Sequence, residues 1–140
     1  MSTVLWANVL VDGVVQSDQE DRYALYNHGD KLDSLCKTLG LPSFLEICDT
    51  TDLRYNMDDL ELPPGVESTD EVMASQGAWI ATDEAIRMLE TLLAHIRAKG
   101  TRFGLLSNQH TEVVTELSEV IAFLQTNAAA AQKFNFSVVM

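Results

Sequence analysis

In FGLLSNQHTEVV, Phe103 to Val114, an apolar run closes on a serine, an asparagine and, three residues after the serine, a histidine. A nucleophilic or anion-binding site would use these residue types: Ser107 as nucleophile, His110 as its base, and Asn108 with the first amides of a following helix as donors to an anion. The spacing argues against the nucleophile. An elbow that exposes a serine places glycine two residues before and two after it so that the turn can be tight, and here those positions hold Leu105 and Gln109. A base also needs a third group to orient it, and the neighbours of His110 offer none. The structural reading is that Ser107 or Asn108 accepts free amide hydrogens where a helix begins, with Glu112 complementing the positive end of its dipole. The alternative is a ligand or anion site at the Ser107–Glu112 junction, carried by Ser107, Asn108 and His110.

The apolar run ending in Ser-Asn resembles, over about six residues, the second motif of the haloacid-dehalogenase-like phosphohydrolases. The resemblance implies a phosphoryl group held by the hydroxyl and nearby amides, and it requires an aspartate nucleophile with a second Asp two positions on, at the end of an earlier strand. In EICDTTDL, Asp49 is followed two residues later by Thr51, and the next acid, Asp52, is three away. After residue 114 Lys133 is the only basic residue and no Asp remains, so the family's later lysine and magnesium-binding acids have no counterpart.

Other constellations are equally incomplete. Glu112, Glu116 and Glu119 share a helical face, but a di-metal bundle adds a histidine at i+3 and matching acids on another helix, so a solvated face is expected. Asp52, Arg54, Asn56 and Asp58 put an arginine where a calcium loop needs a ligand and lack its central glycine. His28, His95 and His110 have no ligand spacing. Cys36 and Cys48 sit in apolar company without CxxC pairing, which favours buried thiols over a disulfide or zinc. KFNFSVV looks like the aromatic strand of an RNA-recognition sheet, yet Phe134, Phe136 and Val138 fall on one side as core residues would. Trp6 and Trp79 read either as core aromatics or as interface anchors. No metal and no cofactor is expected.

Charge is the strongest compositional signal. With 21 Asp and Glu against 9 Lys and Arg, the formal charge is −12. Such a surface repels phosphate backbones and anionic headgroups and attracts basic partners, so neither nucleic acid nor a membrane is expected. The negative residues concentrate between Asn56 and Gln76, where Asp58, Asp59, Glu61, Glu67, Asp70 and Glu71 occur without one Lys or Arg. Two prolines and two glycines between residues 56 and 79 make the region irregular, with one short helical turn near Ser68 to Ala74, and long connections of this kind are often functional. The apolar N-terminal stretch has no basic residue before it and is broken at Asn8 and Asp12, and no segment approaches the ~18 apolar residues of a membrane span. The expected location is cytoplasmic.

The elements that must position these residues follow from local patterns. Residues 3 to 17 form two β-rich runs around Asp12-Gly13, a hairpin turn pair. Leu25, Leu32, Leu35 and Leu39 recur at helical spacing before a stop at Gly40, with the helix starting near Asp18 or only after Gly29. Residues 41 to 55 fit a short helix after Pro42 or a buried strand. Thr82 to Lys99 is a helix with Ile86, Leu89, Leu93 and Ile96 on one stripe, Thr82 as N-cap and Gly100 as its stop. Residues 102–106 read as a short buried strand, a second helix starts near Thr111, and the chain ends in a strand. The expected fold is α+β in one domain, residues 1–140: a small mixed or antiparallel sheet of hairpin, strand 102–106 and C-terminal strand, packed with about three helices. With no complete catalytic set, the function expected is a small, non-catalytic binding protein that engages a basic partner through its acidic segment, as an inhibitor or immunity protein does. A small enzyme or ligand-binding protein using the Ser107–Glu112 junction is the second reading, and a homo-oligomer paired through aromatic residues the third.

Overall fold

The computed structural model describes residues 2–58 and 60–140 and has the expected α+β class. Strands β1 (Val4–Val11) and β2 (Val14–Ser17) form the hairpin, Val11 facing Val14. Asp12 and Gly13 both take positive φ, 50° and 79°, the backbone that a two-residue turn between twisted strands requires. Helices α1 (Tyr23–Asn27) and α2 (Gly29–Leu39) follow, and Gly40 ends α2 in the left-handed conformation. A single 3-10 turn, Leu45–Ile47, leads to β3 (Cys48–Asp49), then come α3 (Thr51–Met57), α4 (Thr69–Gln76) and β4 (Ile80–Ala81). Two 18-residue helices, α5 (Thr82–Lys99) and α6 (His110–Asn127), precede β5 (Lys133–Val139).

The sheet order is β2-β1-β5-β3. β5 runs antiparallel to β1 along its length, and its other edge is shared: β4 pairs antiparallel with Lys133 and Phe134, β3 parallel with Phe136 and Ser137. The sheet is therefore mixed, and six helices accompany it among the described residues where about three were expected. Alternation sends Leu5, Ala7 and Val9 of β1 with Phe134, Phe136 and Val138 of β5 to one face. There they are buried in one core with Met88, Leu89, Leu92 and Ile96 of α5 and Val113, Leu117 and Leu124 of α6. The opposite face is polar but also covered. Asn8 donates to the side-chain carbonyl of Asn135 at 2.9 Å, and Asn135 donates to the Ala78 carbonyl at 2.9 Å. Val72 and Met73 of α4 are buried apart from the main core.

One expected strand is absent. Residues 102–106 pair with nothing and form an exposed connection after α5. Only Phe103 is buried; Leu105 and Leu106 are 95% and 102% exposed. The Arg102 guanidinium donates to the carbonyls of Gly104 and Leu105, at 2.9 and 3.0 Å, which curls the chain onto itself, and Gly104 takes a φ of 105° that an extended strand does not use. Thr82 is also not an N-cap. It is the first residue of α5, and its hydroxyl donates instead to the Ala131 carbonyl at 3.1 Å, tying the helix to the approach of β5. No helix among the described residues is long and apolar enough to cross a membrane.

Candidate functional site

At the α5–α6 junction Asn108 does the structural work that the sequence divided between Ser107 and Asn108. Its side-chain oxygen accepts the amides of Phe103 and His110, at 3.0 and 3.1 Å, closing the loop and satisfying the first amide of α6. Ser107 is exposed, and its hydroxyl makes no hydrogen bond among the described residues. His110 Nδ1 lies 2.7 Å from the Thr101 carbonyl, which can only accept, so this nitrogen carries the proton. Far from being paired with Ser107, the imidazole braces the connection from α5. His28, at the α1–α2 joint, lies 2.7 Å through Nε2 from the Gln109 side-chain oxygen and faces Phe103 with ring centroids 5.5 Å apart. Lys31 donates to the Arg102 carbonyl and sits 5.4 Å from the Phe103 ring centre. The junction is thus a well-braced loop, and three surface clefts of about 450, 340 and 280 Å³ have other walls.

The acidic segment is a different kind of surface. Asp58, Glu61, Glu67, Asp70 and Glu71 are all exposed, while Asp59 lies outside the described residues. Local bonds give the segment shape. Ser68 caps α4 by accepting the Glu71 amide at 3.4 Å, and the Glu71 carboxylate reaches back to the Glu67 amide at 2.9 Å, a reciprocal arrangement of the capping-box kind. Asp52 on α3 accepts from Thr69 at 2.9 Å and from Asn56 at 3.0 Å, joining α3 to α4. Partial burial, with Asp52 adding its own negative charge, pushes the Asp70 carboxyl above its ordinary range. Among the described residues the ion pairs are Arg22 with Asp18, Arg22 with Glu119, and Lys37 with Asp33, so none involves a carboxylate of this segment. Met57 and Leu60, 63% and 50% exposed, add apolar surface beside the carboxylates. Among the described residues no group of three or more His, Cys, Asp or Glu is arranged to hold a metal ion.

Two features escaped the sequence. The Glu112, Glu116 and Glu119 row is not simply solvated: Glu116 accepts the Ala24 and Leu25 amides at 3.2 and 3.0 Å, capping α1 from another helix. Burial outweighs those bonds and pushes its carboxyl up. Glu119 approaches the buried Arg22 at 3.7 Å. The second is the polar layer around Asp49, whose carboxylate accepts the Thr51 and Ala78 amides, both at 2.9 Å, below β5. The Thr51 bond is local, but Ala78 is 29 residues from Asp49 and Leu25 91 from Glu116, too far in sequence to announce either contact.

The remaining candidates are structural in place. Cys36 is a buried free thiol and Cys48 a half-buried one, raised to about 11 and about 12, chiefly by burial with the Asp33 charge nearby. Phe134 and Phe136 meet edge-on in the core, centroids 5.0 Å apart. Trp6 and Trp79 are half-buried, their indole N–H groups donating to Asp21 and to the Met73 carbonyl, both at 2.8 Å. Comparison of the chain with protein-family models, with curated proteins and with solved structures found no match, so any function must be argued from these surfaces.

Proposed function

We propose that this chain is a small, non-catalytic, cytoplasmic binding protein whose acidic segment, from Asp58 to Glu71, engages a basic protein partner. One observation supports the reading: five exposed carboxylates on a locally braced segment, beside exposed Met57 and Leu60, that form no ion pair among the described residues. Unneutralised carboxylates in one patch repel each other, and a partner's Lys or Arg side chains relieve that repulsion while speeding encounter. The apolar side chains give such a partner something to desolvate after the charges have guided it in. The junction at Ser107, Asn108 and His110 has less support as a ligand site, because Asn108 and His110 already spend polar atoms on the backbone of residues 101 to 110.

The test is affinity capture with the wild-type chain and with a fourfold variant, Asp58→Asn, Glu61→Gln, Glu67→Gln, Asp70→Asn, which leaves the Glu71 cap in place. The expected result is a basic protein retained by the wild type, lost by the variant, and released as salt shortens the Debye length from roughly 10 Å at 0.1 M toward 3 Å at 1 M. Equal retention by both chains, or capture of no basic protein, would overturn the proposal.

A further inference from the structure

Trp79 follows α4 closely, and its indole N–H donates to the Met73 carbonyl of that helix at 2.8 Å, so the ring is held in place with its one polar edge already used. The half-buried ring lines a cleft of about 280 Å³, together with Glu46 of the 3-10 turn, Glu84 of the first turn of α5, and Pro42, Ile47 and Ile80. That volume is just under the roughly 300–1,000 Å³ of clefts that take whole small molecules, and it suits one long side chain. The walls are open: Pro42, Glu46 and Glu84 are exposed, Trp79 and Ile80 are half-buried, and of these residues only Ile47 is buried.

Most other polar groups of this cleft are committed to the fold. The Ser43 hydroxyl donates to Asp33 at 2.6 Å, and Ala78 gives its amide to Asp49 and its carbonyl to Asn135, both at 2.9 Å. The Glu46 and Glu84 carboxylates are the exceptions, since neither makes a hydrogen bond or an ion pair among the described residues. Two separate elements thus bring two unbonded carboxylates to one fixed indole, and no Lys or Arg stands in the same lining. Arg87, one turn further along α5, lines the adjoining cleft of about 340 Å³ and forms no ion pair with Glu84. A cation is the charge that fits here: an indole face attracts one within about 6 Å of its centre, and the carboxylates add charge-assisted hydrogen bonds. A guanidinium suits the cleft better than an ammonium, because it is planar, stacks on aromatic rings, is less strongly hydrated, and has a fork of donors that can reach more than one carboxylate.

We infer that the Trp79 cleft receives an arginine side chain from a basic protein partner and anchors that contact. The source of the arginine rests on the basic partner proposed above, but the cleft itself does not, because Glu46, Trp79 and Glu84 all lie outside Asp58–Glu71. Charges on an exposed segment are screened and contribute little each, whereas an arginine lodged against an aromatic ring belongs to the class of contact that dominates an interface. The acidic segment then guides the partner in, and the cleft holds it.

The test needs no partner. Acetyl-arginine amide is titrated into the chain while the Trp79 indole N–H is followed by NMR, with the Trp6 indole, hydrogen-bonded to Asp21, as internal reference. A saturable shift at Trp79, larger than at Trp6, is expected. Glu46→Gln/Glu84→Gln should weaken binding by roughly threefold or more, the scale of losing partly exposed charge contacts. Both side chains are exposed and unbonded, so this variant keeps the wild-type melting midpoint. The fourfold variant of the acidic segment should bind the probe within about twofold of wild type at roughly 0.15 M salt, where distant charges are screened. Failure of the capture experiment with probe binding intact would then fault the acidic segment alone. No saturable shift, an equal response to acetyl-citrulline amide, which keeps the shape without the charge, or wild-type affinity in Glu46→Gln/Glu84→Gln would overturn the assignment. So would acetyl-lysine amide with a free ammonium binding as tightly as the arginine probe, or loss of the probe in the fourfold variant, which would put the cation on the acidic segment instead.

Discussion

Glu116→Ala tests whether a carboxylate 91 positions away holds α1 in place. Helix α1 spans only Tyr23–Asn27, and Arg22 before it supplies no side-chain cap, so Glu116 is the group that satisfies its Ala24 and Leu25 amides. Hydrogen bonds to a charged acceptor contribute about 1.5–3 kcal/mol each, or roughly 3–6 kcal/mol for the pair before desolvation is counted. Burial raises the Glu116 carboxyl despite both amides and Arg22, so desolvation takes back part of that gain. A net loss of about 2–3 kcal/mol is expected, against a total stability of roughly 5–15 kcal/mol, measured by urea denaturation at neutral pH. At roughly 3–4 °C per kcal/mol for a chain of this length, the melting midpoint should fall by about 6–12 °C. Glu116→Gln keeps one acceptor oxygen and removes the buried charge, and should cost less than about 1 kcal/mol. The pH dependence has a definite sign. A carboxyl raised above 4.5 by folding binds its proton more tightly in the folded state, so its stabilising share is largest below that value and falls as pH rises through the folded pKa. Glu116→Gln should therefore look worse against the wild type in acid than at neutrality. An alanine variant within about 0.5 kcal/mol of wild type, or a glutamine variant as damaging as alanine, would refute the cap.

Asp33 should show the opposite pH behaviour. The Ser43 hydroxyl at 2.6 Å, with the Leu45 amide and Lys37, holds its carboxyl below 3.8 despite burial, so its contribution is present above that value and lost as pH falls through the lower folded pKa. Asp33→Asn should cost about 1–3 kcal/mol at neutral pH, narrowing in acid denaturation series below about pH 4. Cys36 and Cys48, raised to about 11 and about 12, should ignore a disulfide reagent near pH 8 in the native chain and react once guanidinium unfolds it. Fast native labelling of either would show a thiol more open than its surroundings allow.

The legible parts of the fold are those whose cause is local. Asp12-Gly13 supplies both positive φ angles of its turn, and the α5 stripe with Gly100 at its end fixes a helix without outside help. The α5–α6 connection differs from the strand expected there because RFGLL has the composition of a buried strand while its conformation comes from the Arg102 guanidinium folding onto the Gly104 and Leu105 carbonyls. Strands β3 and β4 have two residues each, too few to show a period, and exist because β5 offers them an open edge. At the candidate site, Ser107 and Asn108 are equivalent capping types in sequence, and only the loop's curvature selects Asn108 to bridge Phe103 and His110. The Glu112, Glu116 and Glu119 row shows the limit of facial reasoning: its spacing is helical, but α1 comes to lie against it, and nothing near residue 116 announces that.

Polar residues inside this molecule are largely committed to its own wiring. Asn8, Asn135, Asp49 and the Ala78 backbone close the underside of the sheet, Glu116 and Arg22 hold α1, and Asn108 and His110 brace a loop. A buried polar group that lacks a partner is costly, so such groups find partners first and are poor guides to function. The surfaces that retain free interaction energy are then the ones folding leaves unmatched: on the α3–α4 side, exposed carboxylates that form no ion pair among the described residues, and beyond α5, two almost fully exposed leucines. These two surfaces differ in physical character. Added salt screens the first, but it leaves an apolar contact intact or strengthens it. An association that fades with salt belongs to the acidic segment and one that persists belongs to apolar surface such as Leu105 and Leu106, so ionic strength separates the two even in one sample.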